Sequence, residues 1–226
     1  MRAQKYIGAI ALLALWVALP ARAFIWNEIN AGSLPSTAEI THGLGPLTQI
    51  NGQLNFDNNT QSWGVDMYAI AISDPAHFLA TTEAGPNNLS DPALYLFNSA
   101  GLGVYMNNDN STTDQQATLP AGNPLGPQAF GIYYLAIAWG FSDALSFGSI
   151  FDLAQFVDTT GVYGPTGPGG GSPVTGWDTS SAPVNFDLPA HYTIDLRGAI
   201  EAPEPGTLAL LAAATFVLMV WRRKSR

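Results

Sequence analysis

The chain has 226 residues, a formal net charge of −9 and no cysteine, and 47% of its residues are hydrophobic. This length and composition indicate one globular domain, and the lack of cysteine excludes disulfides, thiol catalysis and thiolate metal sites. All 17 acidic residues lie between Glu28 and Glu204, where Arg197 is the one basic residue, so the charge pattern excludes nucleic-acid binding.

Residues 1–23 have the pattern of a secretory signal peptide. Two basic residues precede an apolar stretch over residues 6–19, and an A-x-A cleavage pattern ends at Ala23. The apolar stretch is short for a membrane-spanning helix. We therefore expect an N-terminal signal helix that is removed after Ala23, and an exported domain over residues 24–201.

The exported domain alternates apolar and polar residues with the period of a half-buried strand. Tyr68, Ile70 and Ile72 share one face of a strand over residues 66–72, and residues 192–198 repeat the pattern. Four more segments predict strands: 53–56, 93–97, 102–106 and 130–139. The last is apolar on both faces, which is typical of a central strand.

Turn residues separate these segments. Residues 98–101 (Asn-Ser-Ala-Gly) have the length of a hairpin loop. A short helix is predicted over residues 152–157, whereas the Gly- and Pro-rich segment 161–171 is compatible with neither a helix nor a central strand. Seven or eight short strands without a repeat predict one all-β domain, a β-sandwich of the jelly-roll type.

The strand order resembles the bacterial pre-peptidase C-terminal (PPC) domain. The motifs that carry this resemblance are Gly52-x-Leu54-x-Phe56, Asp66-x-Tyr68-x-Ile70-x-Ile72, Asp91-Pro-Ala-Leu-Tyr-Leu-Phe97, Asn107-Asn-Asp109 and Tyr192-x-Ile194-x-Leu196-x-Gly198. The resemblance covers about residues 45–199. It implies a jelly-roll-like β-sandwich that accompanies enzymes in many members and is not itself catalytic.

The domain contains no recognisable catalytic pattern. His42, His77 and His191 are far apart and form no metal-binding pair, and we expect His77 and His191 at solvent-facing strand positions. A glycosidase needs only two neighbouring carboxylates, and 17 acidic residues can supply such a pair by chance. A hydrolase is therefore the weakest alternative, and we expect no enzyme and no catalytic residue.

One loop concentrates the oxygen ligands that calcium prefers. Asn107, Asp109 and Asp114 belong to this loop, with Asn108 and Asn110 between them, and Asp91 can join them from the neighbouring hairpin. The spacing is not that of an EF-hand, and Asn and Asp are also common turn residues for conformational reasons. A structural calcium site and a solvated turn both remain open; no other cofactor is expected.

Two tryptophans beside loops suggest a glycan-binding alternative. Indole rings can stack on the faces of sugars, and Trp63 and Trp177 are the candidates. Most aromatic residues of this kind pack in a core instead. The domain is accordingly either a surface protein without a specific ligand site or a glycan- or calcium-binding module.

Residues 202–226 combine three features in a fixed order. Pro-Glu-Pro at 203–205 is followed by an apolar segment that predicts a transmembrane helix over 207–221, and then by a basic end over 222–226. The helix is slightly shorter than the hydrocarbon core, and flanking Trp and Arg side chains extend it. The cytoplasmic side is expected to hold the four basic residues, Arg222, Arg223, Lys224 and Arg226.

This order resembles the PEP-CTERM sorting signal of Gram-negative bacteria. In that family the residues matching Pro203, Glu204 and Pro205 are the recognition motif of exosortase, a membrane-embedded transpeptidase-like enzyme. Many members have Val and Ser at the positions of Ala202 and Gly206. The resemblance implies a membrane-anchored precursor, exosortase as a partner, and a final location at the cell surface or in the extracellular matrix, with exopolysaccharide as a further partner.

Overall fold

The computed structural model describes residues 22–43, 45–83, 85, 89–152, 161–182 and 190–202. Over these ranges the chain is all-β, with one short 3-10 turn at Pro75–His77. The signal helix, the helix predicted after Asp152 and the whole tail from Pro203 lie outside the described residues.

In chain order, the strands are β1 (Phe24–Asn27), β2 (Glu39–Ile40), β3 (Leu47–Leu54), β4 (Phe56–Asp57), β5 (Ser62–Trp63), β6 (Asp66–Ile72), β7 (Leu79–Thr81), β8 (Pro92–Asn98), β9 (Gly103–Asn107), β10 (Thr118–Leu119), β11 (Gly131–Trp139), β12 (Asp143–Leu145), β13 (Val162–Tyr163), β14 (Gly176–Asp178), β15 (Ala190–Arg197) and β16 (Ala199–Glu201).

Most strands belong to two sheets. The small sheet has the order β1-β3-β15-β7-β10, and the large sheet has the order β13-β9-β8-β11-β6-β16 with β2 also paired to β6. Their pairing is antiparallel except for β1 with β3 and β2 with β6. Two ribbons, β4-β5 and β12-β14, complete the described part of the fold.

The inner core lies between the two sheets. Tyr68, Ile70 and Ile72 of β6 share one cluster with side chains of β3, β8, β11 and β15. One side of each of these strands faces this core, which accounts for the apolar residue at every second position. The arrangement is that of a β-sandwich.

A second core covers the outer face of the large sheet. Met67, Tyr95 and Phe97 point away from the inner core and pack against Phe151 and Val174, which lie in irregular segments after β11. This second layer explains why β6, β8 and β11 are apolar on both faces. The prediction that residues 130–139 form a central strand is confirmed, since β11 pairs with both β6 and β8.

The remaining strand predictions are largely confirmed. The predicted segments 66–72, 93–97, 102–106 and 192–198 correspond to β6, β8, β9 and β15. The limits 53–56 were wrong, because β3 begins at Leu47 and ends before Asn55. The predicted hairpin after β8 is confirmed: Gly101 has φ of +78°, and Asn98 Oδ1 accepts hydrogen bonds from the amides of Ala100 and Leu102.

Candidate functional site

The two tryptophans predicted as sugar-stacking residues line the same open cleft. Trp63 lies on β5 and Trp177 on β14, and the cleft between them has a volume of about 460 Å³. Asp66, at the start of β6, also lines it. Its polar rim comprises Ser33, Asn55, Ser62 and Thr179.

The two indole rings have different surroundings. Trp63 is 4% exposed, and its ring packs against those of Phe56 and Trp139 at centroid distances of 5.2 and 4.7 Å. Trp177 is half-buried, and its Nε1 donates to the Ser33 carbonyl oxygen at 2.7 Å. Trp63 therefore acts mainly as packing in this conformation, and Trp177 is the ring with surface available to a ligand.

Asp66 is a buried carboxyl at the floor of the cleft, and no local sequence pattern indicates its environment. Its Oδ2 accepts a hydrogen bond from the Tyr192 hydroxyl at 2.6 Å, and the Tyr192 hydroxyl is in turn hydrogen-bonded to that of Tyr68. Burial raises the pKa of Asp66 to about 8, and the charges of Glu28 and Glu39 contribute to the rise. Asp66 is therefore largely protonated at neutral pH.

The two carboxylates whose charges act on Asp66, those of Glu28 and Glu39, accept hydrogen bonds from other groups. Glu28 Oε2 accepts from the Gln53 amide at 2.8 Å, and Glu39 accepts from Trp26 Nε1 and from the Ile29 amide. Glu28 lines a separate groove on the small sheet. Among the described residues, the tryptophan-lined cleft thus presents one carboxyl rather than the pair that glycoside hydrolysis requires.

The four residues predicted to bind calcium divide into two pairs by what their side chains contact. Asn107 donates to the carbonyl oxygens of Asp109 and Gly161, and its Oδ1 accepts from the Thr118 amide. Asp114 accepts from the Gln116 amide and from the Asn110 side chain. These two side chains fix the loop conformation.

Asp91 and Asp109 form the other pair, and each is more than nine-tenths buried. Burial and the Asp109 carboxylate raise the pKa of Asp91 to about 7. Asn108, which belongs to the same Asn- and Asp-rich loop and lies beside Asp109, is equally buried. The local sequence does not determine that the Asn108 side chain is buried.

The histidines lie at three different places. His42 packs edge-on against Trp26, His191 is exposed on β15, and His77 forms a 2.9 Å contact with Asp74. The predicted exposure of His77 is confirmed, whereas its assignment to a strand was wrong because it lies in the 3-10 turn. Within the described ranges, no three His, Asp or Glu side chains come together as a metal site.

The sorting segment begins where the described residues end. β16 pairs with β6 up to Glu201, and Ala202 is 4% exposed. The predicted motif at 203–205 and the basic residues over 222–226 lie beyond this point. In the part of the chain that the structure describes, no helix has the length and apolar character needed to cross a membrane.

Residues 201–224 match the family model of the PEP-CTERM protein-sorting motif. No curated protein and no solved structure matches the chain. The tail resemblance is therefore confirmed, whereas the resemblance of the domain to the PPC family has no support from these comparisons.

Proposed function

Starting from the sorting motif at residues 201–224, we propose that the chain is an exported, non-enzymatic protein of a Gram-negative cell surface or extracellular matrix. Exosortase recognises Pro203, Glu204 and Pro205, and the precursor is held in the membrane by residues 207–221 until it is processed. The mature domain, a jelly-roll-like β-sandwich, associates with exopolysaccharide. The motif match is the observation that carries this proposal.

The exported domain supports a binding role better than a catalytic one. Its acidic composition, with Arg197 as the one basic residue between positions 23 and 221, suits a soluble protein outside the cell. The tryptophan-lined cleft is lined, within the described residues, by a single carboxyl that hydrogen-bonds to Tyr192. That arrangement favours a structural or ligand-binding site over paired acid–base chemistry.

The intact mass of the protein in each cell fraction of its native bacterium tests this proposal. We expect the mature protein to lack residues 1–23 and the segment after the motif, because both are removed during export and sorting. We also expect it in the surface or matrix fraction, where hydrolysis of the exopolysaccharide releases it. An unshortened precursor confined to the inner membrane would contradict the proposal.

The cleft favours a second candidate function, the direct binding of a glycan. Trp177 offers a half-buried indole ring beside hydroxyl and amide groups of Ser33, Asn55, Ser62 and Thr179, and the cleft volume of about 460 Å³ is sufficient for a sugar unit. Stacking on the ring and hydrogen bonds to the rim are the two interactions that sugar binding needs.

The Trp177→Ala variant is expected to bind the bacterium's own exopolysaccharide, immobilised on beads, at least about tenfold more weakly, a loss of about 1.4 kcal/mol. Phe130→Ala is the matched control, because Phe130 is 83% exposed and does not line the cleft. Trp177 also packs against Tyr95, so thermal melts must show that the variant is folded.

Asn55→Trp provides an independent variant for the same test. Asn55 is exposed on the rim of the cleft, so a large ring there fills the cleft without disturbing either core. Weaker retention of this variant is expected for the same reason. Unchanged retention of both folded variants would exclude the cleft as the glycan site and leave the sorting proposal intact.

A further inference from the structure

A buried acidic pair lies at one end of the large sheet. Asp91 directly precedes β8, and Asp109 follows β9 by two residues. Their exposed fractions are 8% and 5%, and that of the adjacent Asn108 is 4%. Carboxylates are rarely buried to this extent without a partner of opposite charge or a metal ion.

Each of the three side chains has one oxygen without a hydrogen bond. Asp91 Oδ2 accepts from Gln115 Nε2 at 3.4 Å, and Asp109 Oδ2 accepts from Asn108 Nδ2 at 3.0 Å. In the described part of the chain, the Oδ1 atoms of Asp91, Asn108 and Asp109 are buried and have no hydrogen-bond partner. Buried acceptors without a donor are costly, and a bound ligand would satisfy them.

Among the described residues, no basic side chain forms an ion pair with Asp91 or Asp109. Between positions 23 and 221 the sequence contains neither Lys nor Arg except Arg197. Arg197 lies on β15 in the small sheet, where it pairs with Leu79, and is exposed. A bound cation can therefore supply the positive charge that this pair lacks among the described residues.

Gly140, directly after β11, makes room for the Asp91 carboxylate because it has no side chain. The Gly140 amide donates to the Asp91 carbonyl oxygen at 2.6 Å, where β11 ends beside the start of β8. A Cβ at position 140 would overlap the Asp91 carboxylate. The absence of a side chain there lets the carboxylate lie directly against the neighbouring strand.

We propose that Asp91, Asn108 and Asp109 bind a divalent cation, with calcium as the fitting ion, at the end of the large sheet where β8 begins and β9 ends. Calcium accepts carboxylate and amide oxygens together and takes six to eight oxygen ligands in irregular geometry. Backbone carbonyl oxygens and water complete its coordination. Two carboxylates and an amide, with no His or Cys, do not suit zinc.

This site differs from the calcium loop predicted by the sequence. Asn107 and Asp114 use their side-chain groups to hold the loop, as described above, and are not ligands. The ion instead joins the residue before β8 to the residues after β9. Binding is expected to stabilise this end of the large sheet and the loop over residues 108–116.

Thermal melts of the purified full-length chain in a mild detergent test the proposal. After treatment with EGTA, 10 mM CaCl₂ is expected to raise the Tm by about 3–10 °C, given dissociation constants of about 0.1–1 mM for extracellular calcium sites. MgCl₂ at the same ionic strength is expected to have a much smaller effect, because magnesium requires near-ideal octahedral geometry.

Asp109→Asn and Asp91→Asn are expected to abolish the calcium-dependent rise. Without calcium, each is expected to melt at the same temperature as the unsubstituted chain or higher, because the substitution removes the repulsion between two buried carboxylates. A variant that merely disrupts packing would melt lower. Asp114→Asn is the matched control, since it removes an acidic residue from the same loop and should leave the calcium effect unchanged.

Equilibrium dialysis with radioactive calcium gives a second readout that does not depend on melting. The unsubstituted chain and Asp114→Asn are expected to bind one more calcium ion than Asp109→Asn. The proposal is overturned by the absence of a calcium-dependent rise in Tm, by an equal rise in Asp109→Asn, or by an equal rise with magnesium.

Discussion

The Glu204→Ala chain is expected to accumulate as a precursor of full C-terminal length in the inner-membrane fraction, with processing lost almost completely. Glu204 is the one charged residue of the Pro-Glu-Pro motif, within the segment that matches the PEP-CTERM sorting family. Proline at 203 and 205 favours an extended backbone, a conformation in which enzymes commonly bind a peptide segment. Alanine removes the charge and leaves both prolines.

Glu201→Ala is the matched control for this experiment. Glu201 is also a glutamate at the start of the matched segment, but it pairs with Ile70 through the backbone of β16. Alanine keeps that backbone pairing, so the protein should be processed normally and reach its usual fraction. Both variants are compared by intact mass and immunoblot of cell fractions. A normal mature mass for Glu204→Ala would refute recognition through this residue.

Thermal stability is expected to fall as the pH rises from about 5 to about 8, chiefly because of Asp66. The unfolded chain loses the Asp66 proton near the ordinary value of 3.8, whereas the folded chain keeps it until a pKa of about 8. Between these values the folded state binds more protons than the unfolded state. The stabilisation by this proton is therefore fully present below pH 4 and is lost as the pH rises toward 8.

The expected loss of unfolding free energy between pH 5 and pH 8 is on the order of 4 kcal/mol, since each pH unit contributes about 1.4 kcal/mol while the two states differ by one proton. Asp66 is 6% exposed, so screening by solvent reduces this figure little. The corresponding fall in Tm is about 10 °C for a domain of this size. Melts in EGTA at a series of pH values measure it.

Asp66→Asn is expected to remove much of this pH dependence. The amide oxygen can still accept the Tyr192 hydrogen bond, and the side chain no longer has a proton to lose. The variant should therefore be more stable than the unsubstituted chain at pH 8 and about equally stable at pH 5. The stability of this variant should still fall somewhat as the pH rises, because the pKa of Asp91 is also raised.

Asp57→Asn is the control for the pH series. Asp57 is exposed, and a hydrogen bond from the Asn59 amide lowers its pKa, so any effect of its titration lies below pH 5. Its curve should run parallel to that of the unsubstituted chain above pH 5. If the stability curve of Asp66→Asn also runs parallel to that of the unsubstituted chain, the buried proton on Asp66 is excluded as the cause of the pH dependence.

Local alternation predicted the strands because each faces the inner core with every second residue. β6 and β15 are predicted on this basis, whereas β11 is predicted from apolar residues on both of its faces; Tyr68 and Tyr192 both lie in the inner core. β3 was recognised only at its end because Gly52 and several polar residues interrupt its apolar pattern. The second core was not predictable, since it depends on irregular segments folding over the outer face of the large sheet.

The candidate sites depend on pairings between distant parts of the chain. Trp63 and Trp177 lie far apart in the sequence, and only the fold brings them to the same cleft. The hydroxyl groups of Tyr68 and Tyr192 meet although the residues are 124 positions apart. The local sequence indicates which residue types are available, but the register of the sheets decides which of them meet and which become buried.

The attachment of β16 to the large sheet sets the distance between the domain and its processing site. The chain is hydrogen-bonded to β6 up to Glu201, and Ala202 is buried. An extended residue spans at most about 3.5 Å, so Glu204 can lie no more than about 7 Å beyond Ala202. An enzyme that recognises this glutamate must therefore work close to the end of β16. Sorting is then expected to depend on the surface of the domain around β16 as well as on the motif.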